Sequence, residues 1–255
     1  MSWNPFNRLS ASPKRTVISK TVEKDFEREC TKLAQLDEST KKLYKDMRKC
    51  TEAVTALSKC EVKLGQDLVS TCQGEDMLRN EAEAVGATTA KLEGFSQELN
   101  TNSQKAVIEP MKRFTNIFPQ ANSAIRKREH SLQEYSRQQL KVEKLQEKER
   151  TGPNIVKLEQ GKKALSAAKE DFEVQNSSLM EEMPQFYDGR IDYFQPCFEA
   201  LLRSQVAYHS NAYKVLCELA SDLGADTEPP PDLQYNADLQ KQLFDMKALS
   251  IVLED

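Results

Sequence analysis

The sequence predicts an all-α fold, a long, kinked, antiparallel three-helix coiled-coil bundle. Apolar residues recur at intervals of seven over long stretches, which is typical of packed helices. Glycine is scarce, with 8 in 255 residues, and aromatic residues make up 7%, a composition that favours long helices over sheets with many turns. Breakers that end a helix stand at two interior places, 73–74 and 151–154. Three helices joined by such short turns must run up, down and up.

The first helix is expected over residues 25–72. Two apolar series run through it, and each repeats every seven residues: one begins with Phe26 and Leu33, the other with Leu36 and Leu43. About six heptads follow one another without a breaker. At 1.5 Å per residue this predicts a helix about 70 Å long.

The second helix is expected over residues 75–150. Leu78 begins a seven-residue series that continues to Leu99 and Ala106, and after Pro110 the series restarts from Met111. A proline inside a continuous pattern kinks a helix when packing continues on both sides. We therefore expect a bend at Pro110 and a second one at Pro119.

The third helix is expected over residues 154–224, with Pro184 and Pro196 inside it. Residues 225–255 form an acidic tail that opens with three prolines and then carries leucines at helical spacing. The tail is either a short helix docked on the bundle or a partner-binding segment. The helices of 25–224 therefore form the main domain, between a tail and a separate leader of residues 1–24.

Positive charge is concentrated in one part of an acidic chain. The net charge is −4, but residues 126–163 carry eleven Lys and Arg against six Glu. A basic flank of this kind beside an apolar seam is usually a solvated face of a bundle. A locally positive, globally acidic protein fits a patterned anionic surface better than bulk nucleic acid, so no nucleic-acid partner is predicted.

The leader, residues 1–24, has the composition of an interfacial segment. Apolar residues spaced by three stand beside cations, as in helices that fold on a lipid surface. Pro13 ends or kinks any helix begun before it, so the alternatives are an ordered insertion helix and an unstructured basic arm. The candidate insertion residues are Trp3, Phe6, Leu9, Lys14, Arg15 and Lys20.

Catalytic chemistry has no candidate residues in this sequence. There are two histidines, and no phosphate-binding loop, nucleophile elbow or converging carboxylate pair, so no enzyme activity is predicted.

Six single cysteines without a CxxC pair or a signal peptide favour a cytoplasmic chain with reduced, buried thiols over disulfides or zinc. We therefore predict no metal and no cofactor. No apolar run approaches the roughly 20 residues that cross a bilayer.

Three stretches resemble amphiphysin-type N-BAR domains. The start MSWNPF, followed by basic residues and VEKDFERE, is similar to the opening of family members. IRKREHSLQEY resembles a pattern of an isoleucine, a basic cluster and Leu-x-x-Tyr on the second helix, and MEEMPQFYDGRIDYF resembles a Glu-Glu-Leu-Pro run on the third. The resemblance covers residues 1–224. The matching residues are Ile125, Lys127, Arg128, Leu132, Tyr135, Glu181, Glu182, Met183, Pro184, Arg190 and Phe194.

The resemblance implies a crescent-shaped BAR homodimer that binds anionic phospholipid membranes through a basic concave face and basic tips. It also implies curvature sensing or generation, endocytosis and cytokinesis, and a link to the actin cytoskeleton through Rho-family GTPases or actin regulators. Since no SH3-like segment follows, a member with little besides the BAR domain is expected. The alternative is a cytosolic helical scaffold for those regulators with little direct lipid role. The membrane-binding residues carried over are Arg126, Lys127, Arg128, Lys141, Lys144, Lys148, Arg150 and Lys157.

Overall fold

The structure is a computed structural model, and it describes residues 17–72, 78–224 and 232–249. Every element that these residues form is a helix and none is a strand, which confirms the all-α fold class. The helices are α1 (Lys20–Thr71), α2 (Arg79–Ser103), α3 (Glu109–Thr115), α4 (Phe118–Gln146), α5 (Gly152–Asp222) and α6 (Asp232–Lys247), and a π-helical turn covers Gln104–Ile108.

Local sequence signals account for several helix ends. Ser19 precedes α1, and its hydroxyl oxygen accepts a hydrogen bond from the Val22 backbone N–H at 3.2 Å, as an N-cap residue does. Pro153 stands in the first turn of α5, where its missing N–H costs nothing. Gly224 follows the end of α5 with φ +64°, the left-handed conformation that glycine adopts readily after a helix.

The segment expected as one kinked second helix consists of three α-helices. Pro110 lies in the first turn of α3 and directly follows the π-helical turn, whose Val107 and Ile108 are buried. Because proline has no N–H for the carbonyl four residues earlier, the regular bond ladder is interrupted there. Pro119 likewise occupies the first turn of α4. By contrast, α5 continues through Pro184 and Pro196 as one element.

The chain divides into two compact units, and unit 1 contains residues 1–49 and 104–201. Aromatic rings from α3, α4 and α5 pack in its core: the Phe114 ring centroid lies 5.5 Å from that of Phe118, 5.5 Å from Phe186 and 4.8 Å from Phe194. A neighbouring cluster includes Phe26 of α1. The Phe118 ring packs near Phe186 and the Tyr135 ring near Phe172, so residue order along α4 is reversed along α5. The two helices are therefore antiparallel.

Unit 2 contains residues 50–103 and 202–255. Its α1 and α2 segments approach closely at two glycines: a Cβ added to Gly65 would lie 3.1 Å from the Gly86 Cα and 2.5 Å from the Thr89 Oγ1. The Asn100 side-chain amide donates a hydrogen bond to the Thr55 hydroxyl at 2.8 Å, which also pairs these segments. Helix α6 belongs to this unit, and its described side chains, 236–247, are all exposed.

The cysteines are free thiols, but their expected burial is wrong for three of them, because Cys50, Cys60 and Cys217 are exposed. Cys30 is partly buried beside the unit 1 core, and burial raises its pKa to about 12. Within the described residues, no group of His, Cys, Asp and Glu is arranged to hold a metal ion. None of the helices described has an apolar stretch long enough to span a bilayer.

Candidate functional site

A row of exposed cations follows one face of α4. Arg126, Lys127, Lys141 and Lys144 of α4 are exposed, and so is Lys148, two residues after the end of the helix. At about 100° per residue, 3.6 residues to a turn, the directions of the four helical residues around the axis fall within an arc of about 100°. The opposite face carries the buried residues of α4. The helix therefore separates its predicted lipid-binding side chains from its core, and we call the five side chains the α4 basic row.

The turn after α4 continues the positive charge. Arg150 and Lys157 are exposed, Arg150 in the connection to α5 and Lys157 in the second turn of α5. The turn is fixed by backbone geometry: the Thr151 N–H donates to the Glu149 carbonyl at 2.9 Å, and the Asn154 side-chain amide donates to the same oxygen at 2.9 Å. Two helices and an ordered turn thus hold these cations in place.

The cations of the row and the turn have no carboxylate partner among the described residues. Exposed pairs occur nearby, as between Arg137 and Glu134 at 2.9 Å, but none involves the seven cations named above. The Arg126 Nε donates only to the Asn122 carbonyl, at 3.2 Å. Their charges are therefore available to an anionic surface.

Arg128 is the exception among the predicted membrane-binding residues. Its side chain is 0% exposed, so the prediction that it contacts lipid is wrong for this structure. Its Nη2 donates to the Glu23 carboxylate at 2.9 Å and to the side-chain amide oxygen of Asn176 at 2.9 Å. Its guanidinium carbon lies 3.9 Å from the centroid of the Phe26 ring and 5.0 Å from that of Phe172. Arg128 therefore joins α1, α4 and α5 inside unit 1.

A signal for this burial was present in the sequence. Arg128 stands seven residues before Tyr135 and fourteen before Val142, so the three residues share one position of the seven-residue repeat with an aromatic and an apolar side chain. In the structure Val142 is buried, and the Tyr135 ring stacks on Phe172 with centroids 6.0 Å apart. A cation in register with a seam is directed toward the partner helices, whatever its charge.

The predicted insertion residues lie mostly outside the described part of the chain. Trp3, Phe6, Leu9, Lys14 and Arg15 belong to residues 1–16, of which nothing is described. Lys20 is described: it is the first residue of α1, and its side chain is exposed.

Unit 2 presents a second surface, which is apolar. Leu57 and Leu64 of α1 are 58% and 60% exposed, and Leu202, Val206 and Tyr213 of α5 are 62%, 58% and 71% exposed. No residue of α5 within unit 2 is buried. The spacings of seven and four residues place these side chains along one side of each helix. We call them the apolar stripes of α1 and α5.

Comparisons with known proteins agree in fold and sequence. A model of the BAR domain family matches residues 4–225. The chain is 46% identical over 257 residues to bridging integrator 3 from Mus musculus, covering 100% of both chains. It is 26% identical over 261 residues to the regulator of cytoskeleton and endocytosis RVS161 from Candida albicans, covering 98% of each. Among solved structures, the amphiphysin BAR domain from Drosophila matches with a TM-score of 0.68 and 19% identity, covering 86% of this chain and 100% of that one.

Proposed function

The chain belongs to the BAR domain family, and from that membership we propose that it is a peripheral membrane-binding dimer that senses or generates curvature. BAR domains form dimers and bind membranes, and a role in membrane curvature is general to the family. BAR proteins are cytoplasmic scaffolds rather than enzymes. For this chain the lipid-contacting residues are Arg126, Lys127, Lys141, Lys144, Lys148, Arg150 and Lys157.

The observation that carries the proposal is the row of exposed cations along α4 and its turn, which have no carboxylate partner in the part of the chain that the structure describes. Near an anionic leaflet each Lys or Arg contributes about 1 kcal/mol. The seven exposed cations of each chain, doubled in a dimer, are enough for membrane binding without any inserted segment. Because such charges are screened within about 8 Å at physiological salt, the contact must be close and its strength must fall as salt rises.

The apolar stripes support a homodimer. Monomeric soluble proteins rarely expose a contiguous apolar surface larger than a few hundred Å², and a symmetric dimer covers the same surface on both copies. Many large apolar side chains of unit 2 are exposed, whereas its buried positions, apart from Leu92 and Leu99, are small, such as Ala82, Ser96 and Ser103. A second copy of this chain is the partner that we propose for the stripes.

A link to the actin cytoskeleton is the further part of the proposal. The Candida albicans relative is named as a regulator of cytoskeleton and endocytosis. We extend that role to this chain, with Rho-family GTPases or actin regulators as partners at the membrane. Precipitation of actin regulators with the wild-type chain, but not with a variant that no longer binds membranes, would place the link at the membrane.

The membrane proposal is tested by charge reversal. The variant Lys127→Glu, Lys148→Glu, Arg150→Glu should pellet with phosphatidylserine vesicles at least about a hundredfold more weakly than wild type, since three contacts of about 1 kcal/mol become repulsive. Arg128 is left intact, because its removal would disturb folding.

The matched control reverses three exposed lysines of other helices, Lys42 and Lys45 of α1 and Lys91 of α2, for the same change in net charge. It should keep most of the binding. Pelleting unchanged in the first variant, or lost equally in both, would contradict the proposed site and favour the cytosolic scaffold.

A further inference from the structure

A cavity lies in unit 1 between the start of α1 and the middle of α4. Its volume is about 270 Å³. One side of it is made by side chains within residues 17–27, and the other side by Leu132 and Ser136 of α4. We call it the α1–α4 cavity.

The wall of the α1–α4 cavity suits an aromatic ring that carries a hydrogen-bond donor. Val17, Ile18 and Leu132 give it an apolar surface, and Ser136 adds a hydroxyl that can accept a hydrogen bond. An apolar cavity of about 150 Å³ holds benzene, so a volume of about 270 Å³ has room for the larger indole ring. Buried indole usually needs an acceptor for its N–H, which this wall provides.

Charged side chains of the wall favour the same class of group. Lys20 and Lys24 line the cavity, and an ammonium group within about 6 Å of an aromatic face is attracted to it. The carboxylates of Glu23 and Glu27 also line the cavity. Because cations and carboxylates are equal in number there, the wall does not repel a segment that carries basic residues.

The leader of the same chain has the group that matches this wall. Trp3 is the one tryptophan of the sequence, and residues 1–16 contain three basic residues and no acidic one. Val17, the residue that follows them, is itself part of the wall. Trp3 stands fourteen residues before it, a length of chain that spans up to about 48 Å when extended. A group joined to its site by so short a tether meets that site at an effective concentration in the millimolar range.

We propose that, away from a membrane, the α1–α4 cavity binds the Trp3 ring of its own chain. The indole ring packs on Leu132, and the Ser136 hydroxyl accepts a hydrogen bond from its N–H. These two residues point about 150° around α4 from the middle of the helical part of the α4 basic row. A leader bound on that side is withheld from the surface that the row meets.

Intrinsic fluorescence of the full chain tests the docking, since Trp3 is its one tryptophan. Without vesicles, Ser136→Phe, which fills the cavity, should raise the acrylamide quenching constant of Trp3 about fivefold, the change expected when a ring docked in about four of five molecules becomes free. The matched control Ser177→Phe adds the same ring at an exposed position of α5 and should leave the constant unchanged. A constant for Ser136→Phe equal to that of wild type, or equal rises in both variants, would overturn the inference.

Melting temperatures close to wild type establish that the variants fold. If Ser136→Phe melts well below wild type, Ser136→Leu fills the cavity with a smaller side chain, and Ser177→Leu becomes its control. The same two outcomes then decide the inference.

Two further samples identify the ring and the chain that supplies it. Trp3→Phe with Phe6→Trp moves the one tryptophan to position 6, where it should be quenched as freely as in Ser136→Phe; protection at position 6 but not at position 3 would overturn the assignment to Trp3. An excess of the Trp3→Phe chain, mixed with Ser136→Phe until subunits exchange, should not restore protection. Restored protection would show that the ring docks on a second copy and would overturn the assignment to the same chain.

The withholding of the leader is tested with phosphatidylserine vesicles, and this part rests on the proposed membrane function. If the leader is free in about one of five molecules, its contribution to apparent affinity is reduced about fivefold, so Ser136→Phe should bind vesicles up to about fivefold more tightly than wild type or Ser177→Phe. Equal binding of all three would overturn the withholding. If wild type binds no vesicle, the proposed function fails, while the quenching measured without vesicles still decides whether the cavity holds Trp3.

Discussion

Replacing Arg128 with methionine should destabilise unit 1 strongly while leaving its packing volume nearly intact. Methionine still fills the space between the Phe26 and Phe172 rings, which lie 3.9 and 5.0 Å from the guanidinium carbon. It cannot replace the ion pair to Glu23 at 2.9 Å or the two hydrogen bonds to Asn176 at 2.9 and 3.1 Å. The cost is therefore mainly electrostatic.

The magnitude follows from what remains after the substitution. Removing one partner of a buried ion pair costs about 3 to 5 kcal/mol, since the other charge stays without compensation. The Glu23 side chain is 17% exposed, so water partly rehydrates its carboxylate and the cost lies near about 3 kcal/mol. For a domain of this size that corresponds to a melting temperature lower by roughly 6 to 12 °C.

A double-mutant cycle tests the reasoning directly. Glu23→Gln combined with Arg128→Met removes both charges of the ion pair, so the double variant should be more stable than Arg128→Met alone, with a coupling energy of about 1 to 2 kcal/mol. Urea denaturation followed by circular dichroism gives the four free energies, measured at one protein concentration because dimerisation adds to apparent stability. An Arg128→Met variant within 1 kcal/mol of wild type, or strictly additive effects of the two substitutions, would refute the account.

Three further predictions concern other parts of the chain. Gly65→Val should destabilise the chain by about 1 to 3 kcal/mol in the same denaturation assay, since no space is open at its Cβ, whereas Gly94→Ala, with nothing within 4 Å, should not. Burial raises the pKa of Cys30 to about 12, so its contribution to stability is complete below pH 9 and is lost as the pH rises toward 12; wild type should lose stability over that range more steeply than Cys30→Ala. Leu57→Glu with Leu64→Glu should convert a dimer to monomers in analytical ultracentrifugation, and an unchanged mass would refute the role given to the stripes.

Much of the fold was predictable because heptad spacing is a local property. Series such as Phe26 to Leu33 specify a helix with one buried side, whatever the partner, and both of these residues are buried in the unit 1 core. The family resemblance rested on residue patterns, and the match to the BAR domain family confirms it. Neither inference needed knowledge of distant contacts.

The details that escaped prediction depend on neighbours far away in sequence. The π-helical turn before Pro110 accommodates a missing donor while Val107 remains buried, and periodicity alone does not distinguish that solution from a simple kink. Lys148 before α5 and Lys162 within it line one cavity beside the α4–α5 connection, which becomes visible only when the turn geometry is known. The exposure of Cys60 depends on which face of α1 is covered.

Arg128 shows why charge alone misassigns a membrane surface. Along α4 it points about 200° from Arg126 and about 100° from Lys127, so three consecutive cations serve two different faces. Its buried ion pair with Glu23 ties the first turn of α1 to α4. A substitution at Arg128 would therefore weaken vesicle binding through loss of folded structure, and such a result would imitate a lipid contact. Only variants that keep wild-type stability, such as those at Lys127 and Lys148, can assign residues to the membrane surface.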